Sequence, residues 1–122
     1  MTSSDFSSQI IHLELNDFDK TDRTFLHDHL GKPVLIFIYA NWCGHCTSVK
    51  PTIIELNEEL MKTGEGLIVA VNSDDRDVAS LLEVNSFPSF FKVEASSQKL
   101  IDISEAVGDR SYNSIKSALL GD

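Results

Sequence analysis

The sequence predicts an α/β domain built on a central mixed sheet, and three observations carry that prediction. Two apolar runs, Val34-Leu35-Ile36-Phe37-Ile38-Tyr39-Ala40 and Leu67-Ile68-Val69-Ala70-Val71, are rich in β-branched residues and free of charge. That is the pattern of strands buried on both faces of a parallel-type sheet. A long stretch with helical spacing separates them, which sets up a β-α-β order. Further on, Phe90-Phe91-Lys92-Val93 and Leu100-Ile101-Asp102-Ile103 flank a bend at Ser96-Ser97-Gln98 and read as an antiparallel hairpin.

A chain of 122 residues is one domain, long enough to bury about two thirds of its unfolded surface. The Ser-rich stretch 1–9 reads as a disordered tail and 10–122 as the folded domain. The net charge of −9 argues against a nucleic-acid partner, which needs a basic footprint. No apolar run reaches the roughly 18 residues of a membrane span. The first residues lack a basic segment followed by an apolar one, and the last carry no retention signal. Taken literally the chain is cytoplasmic; an excised domain from the endoplasmic reticulum lumen is the alternative. A monomer is expected.

Ile10-Ile11-His12-Leu13 reads as a short opening strand, followed by Leu15-Asn16-Asp17-Phe18-Asp19. Thr21 or Asp22 is placed to cap a short helix running to about Leu30, with Phe25, Leu26 and Leu30 inward. His27 and His29 point to different faces of such a helix and read as surface histidines. Gly31-Lys32-Pro33 ends it and launches the first long strand. The main helix opens at Cys43, and Val49, Ile53, Ile54, Leu56, Leu60 and Met61 are spaced to bury one face. Glu55, Glu58 and Glu59 form its wet side, and Pro51 should kink it. Gly64-Glu65-Gly66 stops it before the second long strand. A polar connection at 72–77 leads to a short helix over 78–83. A last helix over 110–120 brings Tyr112, Ile115, Leu119 and Leu120 to the core.

Chemistry concentrates in Trp42-Cys43-Gly44-His45-Cys46, which holds both cysteines. The pair sits at a strand-to-helix junction. Helical positions i and i+3 lie about 5–6 Å apart, close to the span of a disulfide. Cys43 at the helix start meets unpaired N–H groups and the positive end of the macrodipole, which favour a thiolate. A structural disulfide closing so short a loop would restrain the unfolded chain little. A metal site needs more ligands than this pair and His45 offer. The site therefore reads as a reactive dithiol, with no metal and no cofactor.

Tyr39-Ala40-Asn41-Trp42-Cys43-Gly44-His45-Cys46 resembles the active site of protein disulfide isomerase domains in the thioredoxin superfamily. His45 is the discriminating residue, since thioredoxins proper resemble this motif with proline there. The resemblance runs from about Ile10 to Leu120. It implies a thioredoxin fold, a central mixed β-sheet flanked by helices on both faces. It makes Cys43 the attacking thiol and Cys46 the resolving one, with His45 stabilising the Cys43 thiolate. Asn85-Ser86-Phe87-Pro88-Ser89 resembles the family's cis-proline loop, which lies against the dithiol and offers backbone hydrogen bonds to substrate. Ala106-Val107-Gly108-Asp109-Arg110 matches the family's Tyr-x-Gly-x-Arg pattern at the glycine and the arginine. There Arg110 would favour the second thiolate, and Trp42, Phe87 and Val107 would form an apolar substrate rim.

Three positions depart from the family pattern. Its buried acid on the strand before the motif is matched by Phe37, and the lysine that often partners it by Ala70. Thr47 stands where the family often has lysine. The absence of both charges together is what burial energetics require, since either alone is costly. The expected function is thiol-disulfide oxidoreduction of isomerase type on cysteine-containing polypeptides, with glutathione, a reductase or an oxidase as redox partner. Two alternatives stay open. One is a thioredoxin-like cytosolic reductase; the other is a binding module with a vestigial dithiol.

Overall fold

The computed structural model describes residues 10–21, 24–25, 29, 31–73, 77–84 and 86–121. Five strands form one sheet. In chain order they are β1 (Ile11–His12), β2 (Val34–Tyr39), β3 (Leu67–Asn72), β4 (Ser89–Val93) and β5 (Ile101–Asp102). The helices are α1 (Gly44–Thr63), α2 (Asp77–Leu81) and α3 (Tyr112–Leu120). The sheet order is β1-β3-β2-β4-β5. β2 pairs in parallel with β3 and antiparallel with β4, so the sheet is mixed.

β2 occupies the centre, and all six of its residues are buried. Successive strand residues point to opposite faces. Leu35, Phe37 and Tyr39 therefore face α1 and α3, packing with Ile53, Leu56, Ile115 and Leu119. Val34, Ile36 and Ile38 face the other way, toward Phe18, Phe25 and Val78 of α2. Burial on both faces explains why β2 reads as a continuous apolar run rather than an alternating one.

Helix α1 continues through Pro51 to the C-cap Gly64, whose φ of 72° is a left-handed conformation that glycine adopts without penalty. Its buried face comprises Cys46, Val49, Lys50, Ile53, Leu56 and Leu60. Ile54 is half-buried. Met61, expected inward, is 75 % exposed: it lies one position past Leu60 and has rotated off the buried stripe. Among the described residues no helix is long and apolar enough to cross a membrane.

The helix expected over 21–30 is replaced at Thr24 and Phe25 by extended bridges, Thr24 to Lys99 and Phe25 to Phe18. The Phe25 N–H donates to the Gln98 carbonyl at 2.9 Å, and the Gln98 side-chain amide donates back to the Phe25 carbonyl. This segment thus spends its backbone donors across the molecule instead of along a helix. Asp22, Leu26, His27 and Leu30 lie outside the described residues. His29, expected on the surface, is 3 % exposed. Its ring nitrogens face the carbonyls of Lys32 and Ser97, so the ring cross-links the start of β2 to the bend before β5.

Candidate functional site

β2 ends at Tyr39 and α1 begins at Gly44, so the four intervening residues turn the chain from the sheet centre into a helix start. Cys43 is the N-cap of α1. Its extended backbone (φ −91°, ψ 114°) leaves the side chain free to reach back over the first turn. The Cys46 N–H donates to the Cys43 Sγ at 3.1 Å. Sulfur thus takes the place of the usual Ser or Asp oxygen, and the first-turn donor and the helix dipole both favour negative charge there. The Thr47 hydroxyl donates to the Cys43 carbonyl at 3.2 Å and further ties the cap residue to the helix.

Both thiols are free. Cys43, expected at an exposed helix start, is only 6 % exposed, and Cys46 is fully buried. They belong to one buried cluster with Ile10, Tyr39, Phe90 and Val107. Burial pushes the Cys46 thiol up to about 12, and the contact with Cys43 adds to the rise. The Ala40 backbone and the Lys50 charge oppose that rise. Cys46 is thus held as a thiol, while the Cys43 sulfur caps the helix start.

The remaining sequence-predicted residues are placed as follows. His45 is exposed in the first turn of α1. Trp42 is 66 % exposed, and Phe87 meets it edge-on with ring centroids 5.5 Å apart. The Phe87–Pro88 peptide bond is cis, and Pro88 is buried. Val107, expected on the substrate rim, is fully buried, so it has no surface to offer a substrate. Its N–H donates to the Ile103 carbonyl at 3.1 Å, which folds the segment inward and puts the side chain in the core. Arg110 is half-buried with a φ of 62°, in the left-handed region, just before α3. The Cys43 charge raises Cys46 and the Lys50 charge lowers it.

Phe37 is fully buried and stacks on Tyr39 at 5.5 Å. The structure also shows a polar group beside the dithiol that the sequence reading passed over. Lys50 is buried in α1 with its Nζ 4.5 Å from the centre of the Tyr39 ring. The Tyr39 hydroxyl meets His12 Nε2 at 2.8 Å, and His12 Nδ1 meets the Ile10 carbonyl at 2.9 Å. The signal was present in the sequence: Lys50 lies four residues after Cys46 and one after Val49, on the stripe that the helical spacing buries. Among the described residues no group of three His, Cys, Asp or Glu side chains could hold a metal ion.

Comparison with known proteins agrees with this geometry. The family model described as Thioredoxin matches residues 10–120. Protein disulfide-isomerase A3 of Gallus gallus is 38 % identical over 68 residues, covering 56 % of this chain and 14 % of the relative. A protein disulfide-isomerase of Schizosaccharomyces pombe is 33 % identical over 112 residues, covering 88 % of this chain and 28 % of the relative. The chain thus spans well under a third of the curated relatives it matches. Among solved structures, the J-Trx1 fragment of ERdj5 superposes with a TM-score of 0.65 at 31 % identity, covering 91 % of this chain and 50 % of that one.

Proposed function

The chain belongs to the thioredoxin family, and on that premise we propose that it exchanges disulfides of polypeptide substrates as a protein disulfide isomerase-type oxidoreductase. The observation that carries the reading is Cys43 as N-cap of α1, its sulfur accepting the Cys46 N–H. In this reading the Cys43 thiolate attacks one sulfur of a substrate disulfide. A mixed disulfide forms, and the other substrate sulfur leaves as a thiolate that takes up a proton. Cys46, once deprotonated, attacks the Cys43 sulfur. The Cys43–Cys46 bond forms, the substrate sulfur departs and is protonated, and two electrons have passed to the substrate. The reverse sequence oxidises a substrate dithiol. Exposed His45 stands beside the incoming sulfur, and Trp42 with Phe87 offers an apolar surface to an extended segment. Arg110 is assigned a supporting role for the second thiolate on the family pattern alone. A cellular dithiol or glutathione would reset the pair.

A second reading, a binding module with a vestigial dithiol, is favoured by one observation: Phe37 and Ala70 are apolar, and no acid is buried among the described residues. Two assays separate the readings. Reduction of insulin and recovery of scrambled ribonuclease in a glutathione buffer should both be catalysed by the chain and lost in Cys43→Ala. Failure of the unmutated chain in both would overturn the enzymatic reading. The reduction potential then divides isomerase from reductase, with values of roughly −180 mV and −270 mV marking the two classes.

A further inference from the structure

We propose that Lys50 is a positioning residue for the resolving step, its buried ammonium held over the Tyr39 ring so as to favour Cys46 as a thiolate. This rests on the exchange chemistry proposed above. Lysine is almost never buried without a reason, and Lys50 is 6 % exposed. A surface lysine would extend its head group into water. Here Nζ instead lies 4.5 Å from the Tyr39 ring centre, against the end of β2. Lys50 follows Cys46 by four residues on α1, which sets their Cβ atoms about 5–6 Å apart. Side chains on a helix lean toward its N-terminus, so the lysine stem runs back toward the Cys46 turn.

The surroundings hold that placement. His12 Nδ1 faces the Ile10 carbonyl and must carry the proton to bond with it, which leaves Nε2 to accept from the Tyr39 hydroxyl. Burial holds His12 below the ordinary histidine range, and the Lys50 charge lowers it further, in keeping with the neutral tautomer. Tyr39 is fixed at one end by this bond and on one face by stacking on Phe37. Its ring is therefore a stationary seat for the cation, a contact that strengthens when desolvated.

Few other ionisable groups among the described residues face Cys46. Cys43 lies on its own helix; Tyr39 comes from β2 and, through it, His12 from β1. β4, the segment before α3 and α3 itself contribute the apolar Phe90, Ile103, Val107, Ile115 and Leu119, and α3 adds the partly buried Tyr112, whose phenol is ionisable. Burial and Cys43 raise the Cys46 thiol, and Lys50 is the side chain that pulls it down. In the resolving step the Cys46 proton is lost to water, and the departing substrate thiolate takes one up. The Lys50 charge lowers the energy of the thiolate between those two events.

The test is a set of variants at one position. Lys50→Met retains the length of the buried chain and removes the charge; Lys50→Arg keeps the charge. NMR of the Cys46 Cβ resonance in the reduced protein should show a smaller thiolate fraction in Lys50→Met than in the unmutated chain at the same alkaline pH, its titration displaced upward. Lys50→Arg should follow the unmutated chain. Decay of a preformed mixed disulfide near neutral pH should slow about three- to tenfold in Lys50→Met, less than the full displacement because a more basic thiolate is a better nucleophile. An unmoved titration in a folded Lys50→Met protein overturns the proposal, as does equal slowing in Lys50→Arg. If Lys50→Met does not fold, Lys50→Gln is read in its place. A displaced titration in a chain that neither reduces insulin nor refolds ribonuclease would sink the enzymatic reading and leave the charge assignment standing.

Discussion

Phe37 lies directly opposite Ala70 across the parallel ladder of β2 and β3, and both are fully buried. The ring packs between Tyr39 and Phe90, with centroids 5.5 Å from each. The space to which the family resemblance assigns a charge pair is here filled with aromatic carbon. A carboxylate or an ammonium placed alone at this depth would be strongly unfavourable, so the two positions are constrained to change together. The apolar pair gains packing and offers no charge at these two positions.

That packing predicts the cost of reversing it. Phe37→Ala should lose about 3–5 kcal/mol of stability in urea denaturation, the usual range for deleting a buried phenylalanine. Phe37→Glu should be destabilised as well, and more at about pH 7 than at about pH 4. Burial raises a carboxyl's folded pKa above its unfolded value of about 4.3, so stability is present below that value and falls as pH rises. Equal losses for Phe37→Glu at both pH values would show that water reaches the site.

The division of labour between the thiols follows from their placement. Cys46→Ala should accumulate mixed disulfides with substrate, visible on a non-reducing gel, because Cys43 retains the cap geometry and some exposure. Cys43→Ala should accumulate few, since the remaining thiol is fully buried and held protonated. Equal trapping by the two variants would refute this assignment.

Cys46 also links stability to alkaline pH. Its folded pKa, pushed up to about 12, exceeds its reference value of 9.0. Below the reference value the contribution is fully present. Above it the unfolded chain sheds a proton that the folded chain retains, so stability falls as pH rises from about 9 toward about 12. Denaturant midpoints of the reduced protein should decline over this window, and the decline should be shallower in Cys46→Ala.

His12 acts at the other end of the scale. Burial holds it below the ordinary histidine value of 6.5, and Lys50 adds a smaller push in the same direction. Folding therefore favours the neutral ring. Its contribution is present above about 6.5 and is lost as pH falls toward the folded value. Thermal midpoints should drop between about pH 7 and about pH 5, and His12→Gln should flatten that part of the profile. An unchanged slope in the variant would mean that other groups set the acid limit.

Much of this architecture could be read from residue order because its strongest elements are written in single-residue terms. β2 and β3 are charge-free runs, and the dithiol is the chain's only cysteine pair. Where a residue's environment comes from distant parts of the chain, local reading failed. His29 looks like a surface histidine until the Ser97 carbonyl arrives from 68 residues away. Phe25 carries a helix-compatible pattern but gives its N–H to Gln98. Val107 sits in a loop sequence yet is turned into the core by a bond to Ile103. Lys50 was missed for a different reason: its charge suggested water, while its position on the Cys46 stripe pointed inward. Spacing was the better guide.

Trp42 is the single tryptophan of the chain. It stands one residue from Cys43, mostly in solvent, with Phe87 against its edge. Indole fluorescence, selected by excitation at the red edge of its absorption, therefore arises wholly at the rim of the dithiol. Thiolate and disulfide at Cys43 quench an adjacent indole differently, so emission intensity follows the redox state in real time without a label. A peptide settling on Trp42 and Phe87 would move the emission maximum toward the blue. Fraying of β1 or β5 at the sheet margins would leave the signal almost untouched, and in this molecule light and chemistry originate at the same place.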